Sequence, residues 1–411
     1  MLIQFSVENY KSIRDELIIN FCSEKKKENN KWVVSDVNMT ESIYKCIGLI
    51  GPNASGKSNI INAIYFALKF IDKTISRKDS ASISVEGFGF SEENKDKPTS
   101  FEFIFMYKGI KYIYGFSINS KEVIEEYLMG YFTAKAKTIF DRSEGQKYNF
   151  KGNDVKLQKE IAQKTNDNRL YMPVAAEWGY EPAKVVMEWC DLMSRQYVKF
   201  NVATMIKSII SDEIQKAFLI KELQKADFNI VDIYVERETV ETEVVNWVSR
   251  FLEEVIKKDD KELTDNIKYR NKVMIVHKNS KNELFEIDMD EDSDGTKEII
   301  KNMAEIMYIG KEGGLMLEDE LGGNYHTKLT QYFLNVIKSK EINEGNAQLL
   351  FSSHDTKILN ILNTDQIYLV DKDDDGATYV KLLSDYQIRP EMNVELGYLK
   401  GKFGGIPYMR G

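Results

Sequence analysis

The segment Gly51-Pro52-Asn53-Ala54-Ser55-Gly56-Lys57-Ser58 constrains this chain more than any other feature of it. Two glycines with four residues between them, then lysine and a hydroxyl, have the spacing of a phosphate-binding loop. The run Tyr44-Lys45-Cys46-Ile47-Gly48-Leu49-Ile50 before it is nearly continuous in apolar residues, as in a strand buried on both faces. The run Ile60 to Leu68 after it has the length and apolar weight of a helix. Strand, loop and helix therefore come in the order that aims backbone N–H groups, here those of Asn53, Ala54, Ser55 and Gly56, at phosphate oxygens beside a helix N-terminus. Lys57 would bring charge to the β- and γ-phosphates, and Ser58 a hydroxyl to Mg²⁺.

Such a loop needs a carboxylate from elsewhere in the chain for the metal ion. Gly313-Gly314-Leu315-Met316-Leu317-Glu318-Asp319-Glu320 offers one at the end of an apolar strand. Asp319 is the metal-side candidate, and Glu320 is the candidate for polarising an attacking water. Neighbouring strand residues face opposite ways, but these two sit where the strand ends beside Gly322 and Gly323, so both can turn to one site. Leu349-Leu350-Phe351-Ser352-Ser353-His354 is a further apolar strand, and a histidine at its tip can donate to a γ-phosphate. His277 and His326 lack that context and read as structural. Asp292-Ser293-Asp294-Gly295-Thr296 precedes a helix starting near Lys297. Ser293 or Asp294 makes a sensible cap there, and the same hydroxyl and N–H groups could face a phosphate held by another subunit.

The remaining text fixes the surroundings. Residues 2–22 read as two strands joined by the polar stretch Asn9 to Asp15, and the charged run Glu24 to Lys31 reads as a solvated loop. Phe101 to Ile118 alternates around Lys108-Gly109 as a hairpin in an antiparallel sheet. Residues 155–265 are mostly helical in pattern, broken by a strand at Ile230 to Val235, and lack the heptads of a long coiled-coil arm. After Lys297 come helix, strand, helix and strand, then a hairpin of Ile367–Val370 with Tyr379–Leu383. A net charge of -9 argues against coating nucleic acid through the overall field. The three cysteines Cys22, Cys46 and Cys190 have neither disulfide nor zinc spacing. The amino-terminal strand lacks the pattern of a signal peptide and no apolar run reaches membrane length, so a cytoplasmic protein is expected.

With Asn9-Tyr10-Lys11-Ser12, the phosphate loop, Ser293-Asp294-Gly295-Thr296, Asp319-Glu320 and His354 in this order, the chain resembles the stand-alone, SMC-like ABC-type ATPases of bacterial abortive-infection and anti-phage systems. These are related to the ATPase half of the overcoming-lysogenization-defect nucleases. Asp365-Gln366-Ile367-Tyr368, Leu383-Ser384-Asp385-Tyr386 and the run Gly397 to Pro407 look like that group's ending. The resemblance implies an α/β fold, an ABC-type P-loop ATPase head with an antiparallel β subdomain and an inserted helical lobe. Residues 1–150 would form the first part of the head, 151–270 the lobe and 271–411 the rest. It implies ATP and Mg²⁺ as ligands, with Ser58 and Asp319 on the metal and Lys57, Glu320 and His354 in catalysis. It also implies a homodimer or higher oligomer in which one subunit's phosphate loop meets the other's Ser293 and Gly295. A separately encoded effector, nuclease or toxin, would be the partner, with a phage protein or nucleic acid as trigger. Two other functions are weighed against it. A DNA-repair ATPase of the SMC type would clamp duplex DNA directly, which the acidic balance and missing coiled coil disfavour. A nuclease would bind metal through Asp371, Asp373, Asp374 and Asp375, but Asp374-Asp375-Gly376 between two strands reads better as a tight turn.

Overall fold

A computed structural model of the 411-residue chain describes residues 1–23, 30–34, 42–79, 81–95, 97–151, 154–198, 201–225, 229–239, 269–324, 326–389 and 392–405. Most of the charged run from Glu24, the stretch 240–265 of the text read as helical, and Ile406-Pro407 lie outside the described residues. The chain forms two compact units, one of residues 1–199 with 309–411 and one of residues 200–308.

The larger unit begins with strands β1 (Leu2–Glu8), β2 (Leu17–Asn20), β3 (Cys22–Ser23), β4 (Val33–Val34), β5 (Ser42–Tyr44) and β6 (Cys46–Ile50), followed by helix α1 (Lys57–Lys73). Strands β7 (Thr99–Tyr107), β8 (Ile110–Ile118), β9 (Val123–Tyr131), β10 (Lys137–Ser143) and β11 (Lys147–Phe150) come next, then helices α2 (Val155–Ala162), α3 (Tyr171–Glu177) and α4 (Glu181–Val198). The smaller unit contributes α5 (Val202–Ile210), α6 (Glu213–Lys225), β12 (Ile230–Thr239), β13 (Tyr269–Lys278), β14 (Leu284–Asp288) and α7 (Asp294–Ile309). The larger unit resumes with β15 (Leu315–Glu318), α8 (Thr327–Lys338), β16 (Gln348–Ser353), β17 (Ile367–Lys372), β18 (Thr378–Leu382) and α9 (Val394–Leu399).

Two sheets carry the larger unit. The first has the order β15-β16-β6-β17-β18, parallel except for β18. Every residue of β6, β15 and β16 is buried, as expected of parallel strands covered on both faces. The second sheet is antiparallel, in the order β11-β10-β9-β8-β7-β1-β2. Its alternation turns Phe101, Phe103 and Phe105 of β7 inward. The β7–β8 hairpin turns at Lys108-Gly109, where both residues have positive φ, 47° and 76°. Two such residues build the tight turn whose twist matches the flanking strands.

Helix α1 joins the sheets. It packs against β15 and β16, while Phe66 approaches Phe101 at 5.6 Å and Phe70 approaches Phe116 at 5.8 Å between ring centroids. On α4, Trp189 stacks on Phe105 at 3.8 Å. Burying one such side chain stabilises by roughly 1.5–3 kcal/mol, so this aromatic seam fixes α1 and the loop before it. Gln348, buried at the start of β16, clamps the sheets by accepting from Leu2 N and donating to the carbonyls of Leu2 and Tyr44. Deeper in the antiparallel sheet Glu126 and Arg142 are both fully buried at 3.6 Å. Glu126 accepts from the N–H groups of Tyr171 and Met172 and from the Tyr114 hydroxyl, and Arg142 donates to the carbonyls of Asp167 and Arg169. A buried ion pair survives only with its remaining donors and acceptors satisfied in this way.

In the smaller unit β12, β13 and β14 form an antiparallel sheet in that order, with α5 and α6 packed on β12. Asn201 caps α5 by accepting from Thr204 N at 2.9 Å. The helical text that sequence grouped into 151–270 is divided near residue 200, because α4 packs on α1, β7 and β15. No described helix is long and apolar enough to cross a membrane.

Candidate nucleotide site

The phosphate loop lies between β6 and α1. Gly56 is the residue before the helix, with φ 107°, and a Cβ there would stand 2.0 Å from Thr378 Oγ1. Only glycine fits, for both backbone and space. No side chain caps α1 and no acidic residue occupies its first turn. Its first N–H groups are therefore without intrahelical partners and without a nearby helix carboxylate to compete with an anion. Asn53, Ala54 and Ser58 are exposed, Ala54 at φ 61°, while Ser55 is buried beneath them. Lys57 is 5% exposed and curls back, its Nζ donating to the carbonyls of Gly51 at 2.9 Å and Pro52 at 2.8 Å. Burial pulls its ammonium below the ordinary value, and the charges of Asp319 and Glu320 pull the other way. The two carboxylates thus act on the lysine of the loop although more than 260 residues of sequence separate them.

Strand order explains the meeting. β15 delivers Asp319 and Glu320, β16 delivers His354 and β6 delivers the loop, all from the carboxyl ends of parallel neighbours. β15 ends at Glu318, and Glu320 adopts φ 63°, a left-handed conformation costing on the order of 1–3 kcal/mol for a residue with a side chain. Ser352, fully buried in β16, holds that turn: its Oγ donates to Asp319 Oδ1 at 2.5 Å and accepts from Glu320 N at 2.8 Å. His354 Nε2 stands 3.6 Å from Glu320 Oε1.

Several supporting residues were not singled out from sequence. Thr378, opening β18, donates from Oγ1 to Ser55 O at 2.9 Å and lies 2.7 Å from Ser12 Oγ, which accepts from Asn59 Nδ2 at 2.7 Å. Ser12, Thr378 and Asn59 therefore brace the loop from below. Within the same Asn9–Ser12 motif, buried Asn9 donates to the carbonyls of Asn94 and Lys97 and accepts from Phe88 N. The signal was partial: Ser12 belonged to a recognised motif, but nothing local ties it to a residue some 360 positions away. The Asp-rich turn is structural. Asp373 Oδ1 accepts from the N–H groups of Asp375 and Ala377, and Arg14 bridges Asp373 and Asp375. Among the described residues no group of three or more His, Cys, Asp or Glu could hold a metal ion. His326 caps α8 through Nδ1.

Ser293 and Gly295 belong to the smaller unit. Ser293 caps α7, accepting from Thr296 N at 3.2 Å and lying 2.7 Å from Thr296 Oγ1. The preceding Asp292 accepts from Ser293 N and lies 2.8 Å from Nε2 of His277, so His277 props the turn before the helix.

A hydroxyl at Ser58 and a carboxylate at Asp319 are hard oxygen donors, and a nucleotide-bound Mg²⁺ takes only one or two protein ligands beside phosphates and water. The residues present fit that ion. Residues 46–158 match the family model described as an AAA domain, putative AbiEii toxin, of a type IV TA system. The match contains β6, the phosphate loop, α1 and β7–β11, and supports a P-loop ATPase domain of abortive-infection type. It ends before Asp319, Glu320 and His354, which rest on the geometry above. No curated protein matches the chain.

Proposed function

We propose that this protein binds and hydrolyses ATP, and that ATP closes two copies of it around paired sites to control a separately encoded effector. The observation that carries the reading is the convergence of Lys57, Asp319 and Glu320, two carboxylates acting on the one lysine of a phosphate loop, pinned by a buried serine.

In this reading the N–H groups from Asn53 to Ser58 take the β- and γ-phosphates, and Lys57 turns from the Gly51 and Pro52 carbonyls to the phosphate oxygens. Mg²⁺, held by Ser58 and Asp319, would offset phosphate charge. Glu320 orients a water for in-line attack on the γ-phosphorus, and its strained backbone, fixed through Ser352, keeps the carboxylate aimed. His354, beside Glu320, donates to the γ-phosphate. Ser293 and Gly295 of the second subunit face that phosphate from the opposite side, the α7 N-terminus contributing its dipole. The composite site makes ATP a signal for assembly, and the effector, a nuclease or toxin, is released or licensed as the assembly changes. The family match to a toxin–antitoxin system supports a partner of that kind.

The test is a pair of variants. Lys57→Ala abolishes nucleotide binding. Glu320→Gln keeps binding, loses hydrolysis and accumulates as an ATP-bound dimer in size-exclusion chromatography. Parental turnover by Glu320→Gln would remove Glu320 from the role given to it.

A further inference from the structure

The outward face of the antiparallel sheet carries an acidic pocket that the nucleotide chemistry does not use. Register places Ser6 opposite Glu102, Ser100 opposite Ser117, and Ser117 opposite Glu125, so these side chains share the face opposite Phe101 and Phe103. The pocket has a volume of about 140 Å³ and is lined by four carboxylates, those of Glu8, Glu16, Glu102 and Glu125. Among the described residues none of the four forms an ion pair. Glu102 accepts from the Tyr127 hydroxyl at 2.5 Å, and the Tyr127 ring lies over Gly115, where a Cβ would come within 2.3 Å of the ring.

A second observation points to a ligand. Ser117 lines the same pocket, is 4% exposed, and has a hydroxyl without a hydrogen-bond partner. A buried, unpaired hydroxyl costs about 1–3 kcal/mol until something satisfies it. A small metal ion is a poor candidate, because the described acidic residues form no group of three able to hold one. Four acidic residues line the pocket without forming such a group. A guanidinium suits that layout, since its five donors lie in a rigid plane and reach several acceptors at once.

We propose that this pocket receives the guanidinium of an arginine on a partner protein, held between Glu102, Glu125 and Glu16 and satisfying the Ser117 hydroxyl. Glu16 also borders a neighbouring cleft of about 370 Å³ between the edge strands β2 and β18, lined by Ile18, Tyr379 and Val380. Ile18 and Tyr379 are 39% and 36% exposed. An extended segment with an apolar residue next to its arginine fills both spaces. Thr378, which donates to the Ser55 carbonyl of the phosphate loop, lines the same cleft, so the occupant bears on the residue that braces the nucleotide site. Only the identity of the occupant as a regulated partner rests on the proposed ATP-gated function; the pocket's chemistry does not.

The probe is agmatine, titrated calorimetrically into the whole chain without nucleotide. One saturable event is expected, weakened at least about fivefold by Glu125→Gln and by Ser117→Val, with putrescine, which lacks the planar fork, binding about tenfold more weakly. The blocked peptide Ac-Gly-Arg-Ile-Gly-amide should bind at least about threefold tighter than agmatine through the adjoining cleft. Equal binding of agmatine and putrescine, indifference to both variants, or no saturable binding overturns the guanidinium site. A peptide no tighter than agmatine overturns the partner segment in favour of a small cation. Lys57→Ala must bind agmatine as the parent does, so a failed ATPase reading and a failed pocket give different results.

Discussion

Ser352→Ala removes one oxygen that holds the Asp319 carboxylate and the backbone of Glu320. That oxygen donates to Asp319 at 2.5 Å and accepts from the Glu320 N–H at 2.8 Å, from a residue with no exposed surface. A hydrogen bond to a charged group contributes about 1.5–3 kcal/mol and one between neutral groups about 0.5–1.5 kcal/mol. Asp319 is itself exposed, which moves its bond to the lower end, so the loss totals about 2–3 kcal/mol. For a unit of this size that lowers Tm by about 3–5 °C. Without the bond to its N–H, Glu320 has less to hold it at φ 63°, and kcat should fall at least about tenfold as the carboxylate relaxes away. Asp319→Asn separates the two effects. Its amide oxygen still accepts from Ser352, so stability should fall by less than about 1 kcal/mol while turnover is lost with the metal-side charge. Calorimetric melting and steady-state ATP hydrolysis read both quantities. A Ser352→Ala protein that melted within about 1 °C of the parent and turned over at its rate would refute the reasoning.

Three further outcomes follow from individual contacts. Gly56→Ala drives a Cβ to within 2.0 Å of Thr378 Oγ1 at a φ of 107°, and should cost about 2–4 kcal/mol and abolish nucleotide binding; adding Thr378→Ala should restore part of the stability but not all, because the backbone strain stays. Arg142→Met strands the buried Glu126 carboxylate and should cost about 3–5 kcal/mol in urea unfolding, and adding Glu126→Gln should recover part of it; a single variant within about 1 kcal/mol of the parent would contradict the buried pair. Alkali should destabilise the fold, because burial pushes the thiols of Cys46 and Cys190 above the ordinary value of 9.0. Their contribution is complete below that value and is lost above it, as the unfolded chain releases protons that the folded one keeps, by about 1.4 kcal/mol per pH unit for each thiol. Urea midpoints at pH 8, 9.5 and 10.5 should fall in that order, and a flat series would count against the burial of both thiols.

What could be read in the sequence was what neighbouring residues decide. The phosphate loop, the hairpin turning at Lys108-Gly109 and the turn at Asp374-Asp375-Gly376 each depend on a few adjacent residues with special backbone or charge requirements. Asp319, Glu320 and His354 were visible because each sits at the tip of an apolar strand. The placing of β16 between β15 and β6 could not be read, because crossovers and long-range packing set the order of parallel strands. The Ser352 link between the carboxylates and the Thr378 brace beneath Ser55 stayed hidden for the same reason, as each joins residues far apart in sequence. Strands β13 and β14 went unread, since β13 mixes charged and apolar residues and β14 leaves Leu284 and Phe285 exposed, obscuring a simple period of two.

The central claim is that each ATP site takes its phosphate loop from one copy of the chain and Ser293 from another. Mixing two inactive variants tests it directly. Lys57→Ala lacks a working loop but keeps Ser293, and Ser293→Asp keeps its loop and its helix cap but sets a carboxylate against the other subunit's phosphate. Each alone should be inactive. In an equal mixture half of the dimers are mixed and each holds one intact site, so about a quarter of the parental ATP hydrolysis should return. A mixture as inactive as its components, or a Ser293→Asp protein as active as the parent, would contradict the account.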